Sequence, residues 1–219
     1  ITSETPESLL KQLRETSNPL ELQRFQIQTA GLEFLRTDSV YNALRGPIDA
    51  LPRGIQDALA PLGYTADSPI PLALAEALTG LSAGEMINFI DECTGKSVLS
   101  ATGEQVTIHS LTAAAITATN TDEILRTALR RATGQLGSII ETNHPIPTVE
   151  IGHYEHMLSQ ARTFLGQEDE SLIGFSNNLA VGYDNAGRYD DAIKLHTENL
   201  GIRIRVLGAE HHDTLTSRN

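Results

Sequence analysis

Apolar residues recur at three- and four-residue steps through most of this chain, and the elements follow from that spacing. In TPESLLKQLRET (5–16), Leu9, Leu10 and Leu13 share a face, Thr5 can cap and Pro6 takes the first helical position. Asn18-Pro19 stops that helix, and Leu20, Leu22, Phe25, Ile27, Leu32 and Leu35 then fit no single period. From Val40 the stripe sharpens through Leu44, Ile48 and Leu51, with Gly46-Pro47 expected to kink or break it. RGIQDALAPLG (53–63) predicts a second short helix. SPIPLALAEAL (68–78) predicts a third, with Pro71 near its start and Leu72, Ala75 and Leu78 aligned. In SAGEMINFIDEC (82–93), Ser82 and Glu85 form a capping box ahead of Met86, Ile90 and Cys93 on one stripe.

The period then switches to two. KSVLSATGEQVTIHSL (96–111) holds β-rich runs at 97–100 and 105–109 around a turn containing Gly103, a predicted hairpin. Val106 and Ile108 face one side of its second strand, Thr107 and His109 the other, and Ser110 can cap the next helix. On pattern alone His109 reads as a satisfied, half-buried histidine. Helical spacing returns in NTDEILRTALRRATGQLGSII (120–140), where Asn120 and Glu123 can form a capping box and Ile124, Ala128, Ala132 and Leu136 line one face. NHPIPTVE (143–150) breaks it, and everything after reads helical.

The C-terminal region repeats itself at an offset of 42: Ile151 falls on Ile193, Leu158 on Leu200, Leu165 on Leu207, Gly166 on Gly208, Glu168 on Glu210 and Asn177 on Asn219. These are six identities in 27 aligned positions without a gap, where roughly one or two are expected from average residue usage. In NNLAVGYDNAGRYDDAIKLHTENL (177–200), Leu179, Ala180 and Tyr183 share one helix, Ala192 lies on the next, and Gly187 ends the first. Small residues at 180 and 192 let the two helices approach closely. The last helix carries Ile202, Val206 and Leu207, apolar surface that a further repeat would cover.

Composition narrows the function. Sixteen Lys and Arg against 28 Asp and Glu give a net charge of −12, which repels phosphate backbones. The single Cys93 excludes an intramolecular disulfide and a Cys-rich zinc site, and fits a reducing, cytoplasmic setting. Ile1 at the start, without Met or a signal-peptide pattern, reads as a piece of a longer protein.

The chemical-looking motifs dissolve on inspection. ECTGKS (92–97) ends like a phosphate-binding loop, but the required first glycine is Ile90, inside an amphipathic helix. Lys96 and Ser97 instead link that helix to the hairpin. His153 and His156 in HYEH stand three apart with no third ligand evident, and read as a solvated face. Glu210, His211, His212 and Asp213 are consecutive and point apart, so no metal site is expected there. No G-x-S-x-G elbow, Cys–His pair or dinucleotide fingerprint occurs, and no catalytic residue is expected.

Two resemblances gather these observations. Residues 165–219, with LGAEHHDTLTSRN and the looser LGQEDESLIGFSNNLA, resemble tetratricopeptide repeats of kinesin-light-chain type, with His212 where that family usually has proline. Three helices and a hairpin closing on TIHSL, followed by such repeats, resemble signalling ATPases of the STAND (NB-ARC) class; TPESLLKQLRET and IPLALAEAL add to the likeness. The resemblance implies a mostly α chain. A helical segment (1–39) would follow a nucleotide-binding core, then a winged-helix domain (40–119), a helical connector (120–150) and truncated TPR repeats (151–219) forming an α-α superhelix. It implies that His109 contacts the β-phosphate of ADP bound to that core and holds an inactive state, although Ser110 departs from the family's usual Asp or Arg. ADP and ATP would belong to the core, with no cofactor in this chain. Partners would be a protein or peptide on the repeats, the upstream nucleotide-binding domain and, on activation, other copies; no membrane or nucleic acid is expected. The rival readings are a plain repeat scaffold and a DNA-binding winged helix. The second would read DNA with 82–93, which carries Glu85, Asp91 and Glu92 but no basic residue.

Overall fold

The stripe from Val40 to Ile48 lies on one unbroken helix, α1 (Thr37–Asp49), with Pro47 inside its last turn. Proline lacks the amide hydrogen that continues a helix, and α1 ends two residues later; the expected break is the helix end. The computed structural model describes residue 23, residues 37–142 and residues 144–216. The helix expected at 5–16, its Asn18-Pro19 stop and Asn219 lie outside the described residues.

After α1 come α2 (Arg53–Leu59), a 3-10 turn (Ala60–Tyr64), β1 (Ile70–Pro71), α3 (Leu72–Thr79), α4 (Ala83–Gly95), β2 (Ser100–Thr102) and β3 (Gln105–Thr107). The remainder is helical: α5 (Ser110–Ala118), α6 (Asp122–Glu141), α7 (Thr148–Phe164), α8 (Glu170–Asn185), α9 (Tyr189–Leu207) and α10 (His212–Thr216). The described chain is thus mostly helix around one small antiparallel sheet.

That sheet has three strands, in the order β1-β3-β2. The hairpin was legible in the sequence; β1 was not, because its two residues precede an obvious helix. Ile70 pairs with Val106, and Pro71 with Gln105. A proline is tolerated because β1 is an edge strand, where a missing amide hydrogen breaks no central ladder. Strand β2 begins three residues later than expected. The turn at Gly103 (φ 60°) sets the register, so Ser100 opposes Thr107 and Thr102 opposes Gln105. Val98 and Leu99 are buried in the link before it.

Glu85 behaves as expected, accepting from the Ser82 backbone N–H at 2.9 Å at the start of α4. The capping box expected at Asn120 does not form. Thr121 is the cap of α6, and the buried Asn120 donates to the Ala60 carbonyl at 3.0 Å instead. The Ala60 carbonyl, at the start of the 3-10 turn, outcompetes the local cap.

Buried apolar side chains form one cluster from Tyr41 to Leu195. Helix α6 packs along α8, α8 along α9, and α7 against β1 and the 3-10 turn. Helix α6, within the 120–150 segment expected to be a connector, packs along α8 and also against α3 and the 3-10 turn. The offset of 42 is visible in the backbone. Gly166 (φ 80°) and Gly208 (φ 92°) end their segments in conformations that favour glycine, and α8 and α10 begin at Glu170 and His212. Val206 and Leu207 are exposed as expected, whereas Ile202 is buried between the helices and Ile204 takes the outward place.

Candidate functional site

Two places deserve the name: the end of β3, where His109 stands, and the helices of the repeat. Val106 and Ile108 point into the core, which turns His109 outward into solvent. It is exposed, not half-buried as its pattern alone implies. It also replaces Ser110 as the cap of α5, because its Nδ1 accepts from the Leu111 N–H at 3.2 Å, leaving Ser110 as the first helical residue. An imidazole accepting at Nδ1 carries its hydrogen on Nε2. Among the described residues that N–H has no partner, so it is free to donate outward.

His109 lies on an open depression of about 560 Å³ with Ser97, Ser100, Thr107, Thr112 and Asp67 on its walls. Ser97 has φ 58°, a region that costs a non-glycine residue about 1–2 kcal/mol. Hydroxyls and one imidazole N–H make this a donor surface, opposed by a single carboxylate. Gly95-Lys96 ends α4 and leads into the hairpin, so the Gly-Lys-Ser stretch has the helix–loop–strand order, the reverse of a phosphate loop. The Cys93 thiol is buried, and burial pushes its pKa up to about 12, which leaves it unreactive.

The HYEH reading needs correction. His153 is not on a solvated face: it is fully buried, with Nε2 3.1 Å from the Pro69 carbonyl and 3.4 Å from Ser68 Oγ. Burial lowers its pKa, the Pro69 bond opposes that, and His156 reinforces it. His153 thereby clasps α7 to the loop before β1. The signal was available, since Met157 and Ala161 follow at four-residue steps on the same apolar stripe. Beside it Tyr154 donates to buried Glu150 at 2.7 Å, and burial holds the Glu150 carboxyl above its ordinary value. Sequence reasoning missed this pair. His211 and His212 are exposed in the connector and at the start of α10. Among the described residues, no three His, Cys, Asp or Glu side chains gather to hold a metal ion.

The repeat is built by close contact and a few polar ties. Leu179, Ala180 and Ala192 are fully buried between α8 and α9, the small side chains letting the helices meet. Ser176 Oγ lies 2.7 Å from Asn199 Oδ1 in the same interface. Arg188 stacks 4.5 Å over the Tyr183 ring and donates to Glu155 of α7 at 2.9 Å. Arg126 of α6 donates to Asp169 at 2.8 Å, pinning the start of α8.

A family model described as a tetratricopeptide repeat matches residues 176–213, which take in most of α8, all of α9 and the start of α10. No curated protein and no solved structure matches the chain. A TPR-type repeat, an architecture associated with binding other proteins, thus occupies this helix pair. Among the described residues, no helix is long and apolar enough to cross a membrane.

Proposed function

We propose that this chain is the regulatory and ligand-sensing part of a STAND-type signal-transduction ATPase, with residues 40–119 as its winged-helix domain and the repeats as its receptor for a protein ligand. The observation that carries the reading is the chain order helix, edge strand, helix, helix, hairpin, with an exposed histidine two residues after the third strand. The TPR-type repeat in the same chain adds to it. In this reading a nucleotide-binding core elsewhere in the polypeptide holds ADP or ATP, and this chain supplies no catalytic group. His109 Nε2–H donates to the ADP β-phosphate and holds the inactive state. Protein binding on the repeats favours release and oligomerisation, which requires ligand contacts that differ between the two states. The His153–Pro69 bond is the mechanical tie between them, since it joins α7 to the loop leading into the sheet.

The test is His109→Ala, made in this chain and in a protein that carries it beside its nucleotide core. A hydrogen bond to a charged group contributes about 1.5–3 kcal/mol, so ADP affinity should fall roughly ten- to a hundred-fold. The chain alone should lose less than about 1 kcal/mol, near the lower part of the range for a lost helix cap. Unchanged ADP affinity with a loss of several kcal/mol in the chain would overturn the sensor role. The second reading, a repeat scaffold without a nucleotide switch, draws on the family match alone. DNA binding is disfavoured because α4 carries Glu85, Asp91 and Glu92 and no basic residue.

A further inference from the structure

Helices α7 and α9 both pack on α8, and between them runs a groove of about 370 Å³. Leu158, Leu172 and Ile202 form apolar walls, and Asn199 lies at the floor. Arg162 of α7 spans toward α9 and pairs with Glu198 at 2.5 Å, which neutralises the carboxylate on that wall. Arg205, on the same wall, makes no ion pair among the described residues. The floor is the unusual part. Asn199 is 4% exposed, its Oδ1 is engaged by Ser176, and its Nδ2 is buried without a hydrogen-bond partner. A buried donor left unmade carries a desolvation penalty that a ligand oxygen would relieve.

We propose that this groove is a peptide-binding site selective for an acidic side chain beside an aliphatic one. The carboxylate accepts from Arg205 at the rim and from the Asn199 amide at the floor, and the aliphatic neighbour packs on Leu158, Leu172 and Ile202. The proposal rests on the reading of these repeats as a protein-binding element, and names the face and the chemistry of the partner. Charge supports the choice of occupant. Arg162 and Arg205 line the groove against the single carboxylate of Glu198, so an acidic side chain meets a local excess of positive charge there although the chain as a whole carries −12. The volume accommodates a few side chains in extended contact.

The experiment pans displayed random peptides on the whole chain, then titrates the selected peptides against two variants. Gly201 lines the groove, and a Cβ there would meet no atom within 4 Å. Gly201→Leu therefore fills the groove while leaving thermal unfolding intact. Arg205→Glu reverses the rim charge on an exposed residue. Selected peptides should be enriched in Asp or Glu next to Leu or Ile, and each variant should weaken them by at least about tenfold. Replacing the peptide's acidic residue by its amide should do the same. Peptides that bind both variants within about twofold of the original chain would overturn the groove while leaving the protein-binding reading intact. Selection of no peptide at all would count against both.

Discussion

Glycines 174 and 182 lie on the same helix, α8, and the same substitution should move stability in opposite directions at the two sites. A helical glycine costs roughly 0.5–1 kcal/mol relative to alanine, mostly through backbone entropy. At Gly174 a Cβ would meet no atom within 4 Å, so Gly174→Ala should recover that amount. At Gly182 the Cβ would fall 2.1 Å from Ile146 Cδ1 and 2.8 Å from its Cγ1, with Leu136 Cδ2 at 3.9 Å. Ile146 is itself buried, at 3% exposed, and cannot swing into solvent. Relieving such a contact means forcing a side chain off its rotamer or shifting backbone, typically about 1–3 kcal/mol. Subtracting the propensity gain leaves Gly182→Ala destabilised by about 1–2 kcal/mol. For a chain of this size 1 kcal/mol moves the melting temperature by roughly 2–4 °C. Gly174→Ala should thus melt a few degrees higher than the original, and Gly182→Ala a few degrees lower. Parallel urea titrations should give equal slopes, so that midpoints report stability. If Gly182→Ala raised the midpoint as much as Gly174→Ala, Ile146 would not occupy that space. The docking of the 144–147 loop on the repeat would then be wrong. An added Gly182→Ala/Ile146→Val pair, which removes the closest atom, should recover part of the loss.

Two further perturbations probe the α7 clasp. His153 is neutral and buried, with its pKa held below the ordinary 6.5 by burial, and His156 shifts the same way for the same reason. The unfolded chain binds the proton first, so stability is full above about pH 6.5 and declines as pH falls below it toward the folded-state values. Glu150, raised above 4.5 by burial, acts in the opposite sense in the window just above 4.5. The informative quantity is therefore the difference between the original chain and His153→Gln. Urea midpoints between about pH 7.5 and 5.5 should fall less steeply in the variant, and identical slopes would refute a buried neutral His153. Tyr154→Phe removes the hydroxyl bonded to Glu150 at 2.7 Å, leaving a buried carboxyl short of a donor at about 1–3 kcal/mol. Combining it with Glu150→Met should cost less than the sum of the two single changes; strict additivity would mean the pair does not interact.

What the sequence determined by itself was the periodic content. The stripes through Val40–Ile48, Met86–Cys93 and Ala128–Leu136 name their helices because burial on one face imposes that spacing. The alternation at Val106 and Ile108 names a strand for the same reason. The offset of 42 located the repeat and the matched positive-φ pair Gly166 and Gly208, since each unit meets the same neighbour geometry. Tertiary structure decided everything that depends on a partner distant in sequence. Strand β1 exists because Ile70 finds Val106 across 36 positions; two residues carry no period of their own. Asn120 left its local cap for the Ala60 carbonyl, and Thr121 took its place. The apolar stripe of α7 already marked His153 for the buried face, but its partner, the Pro69 carbonyl, came from the fold. The groove with its unmade Asn199 amide is likewise a product of three helices meeting. A buried polar group goes wherever the fold provides its complement, and no local pattern encodes where that complement will be.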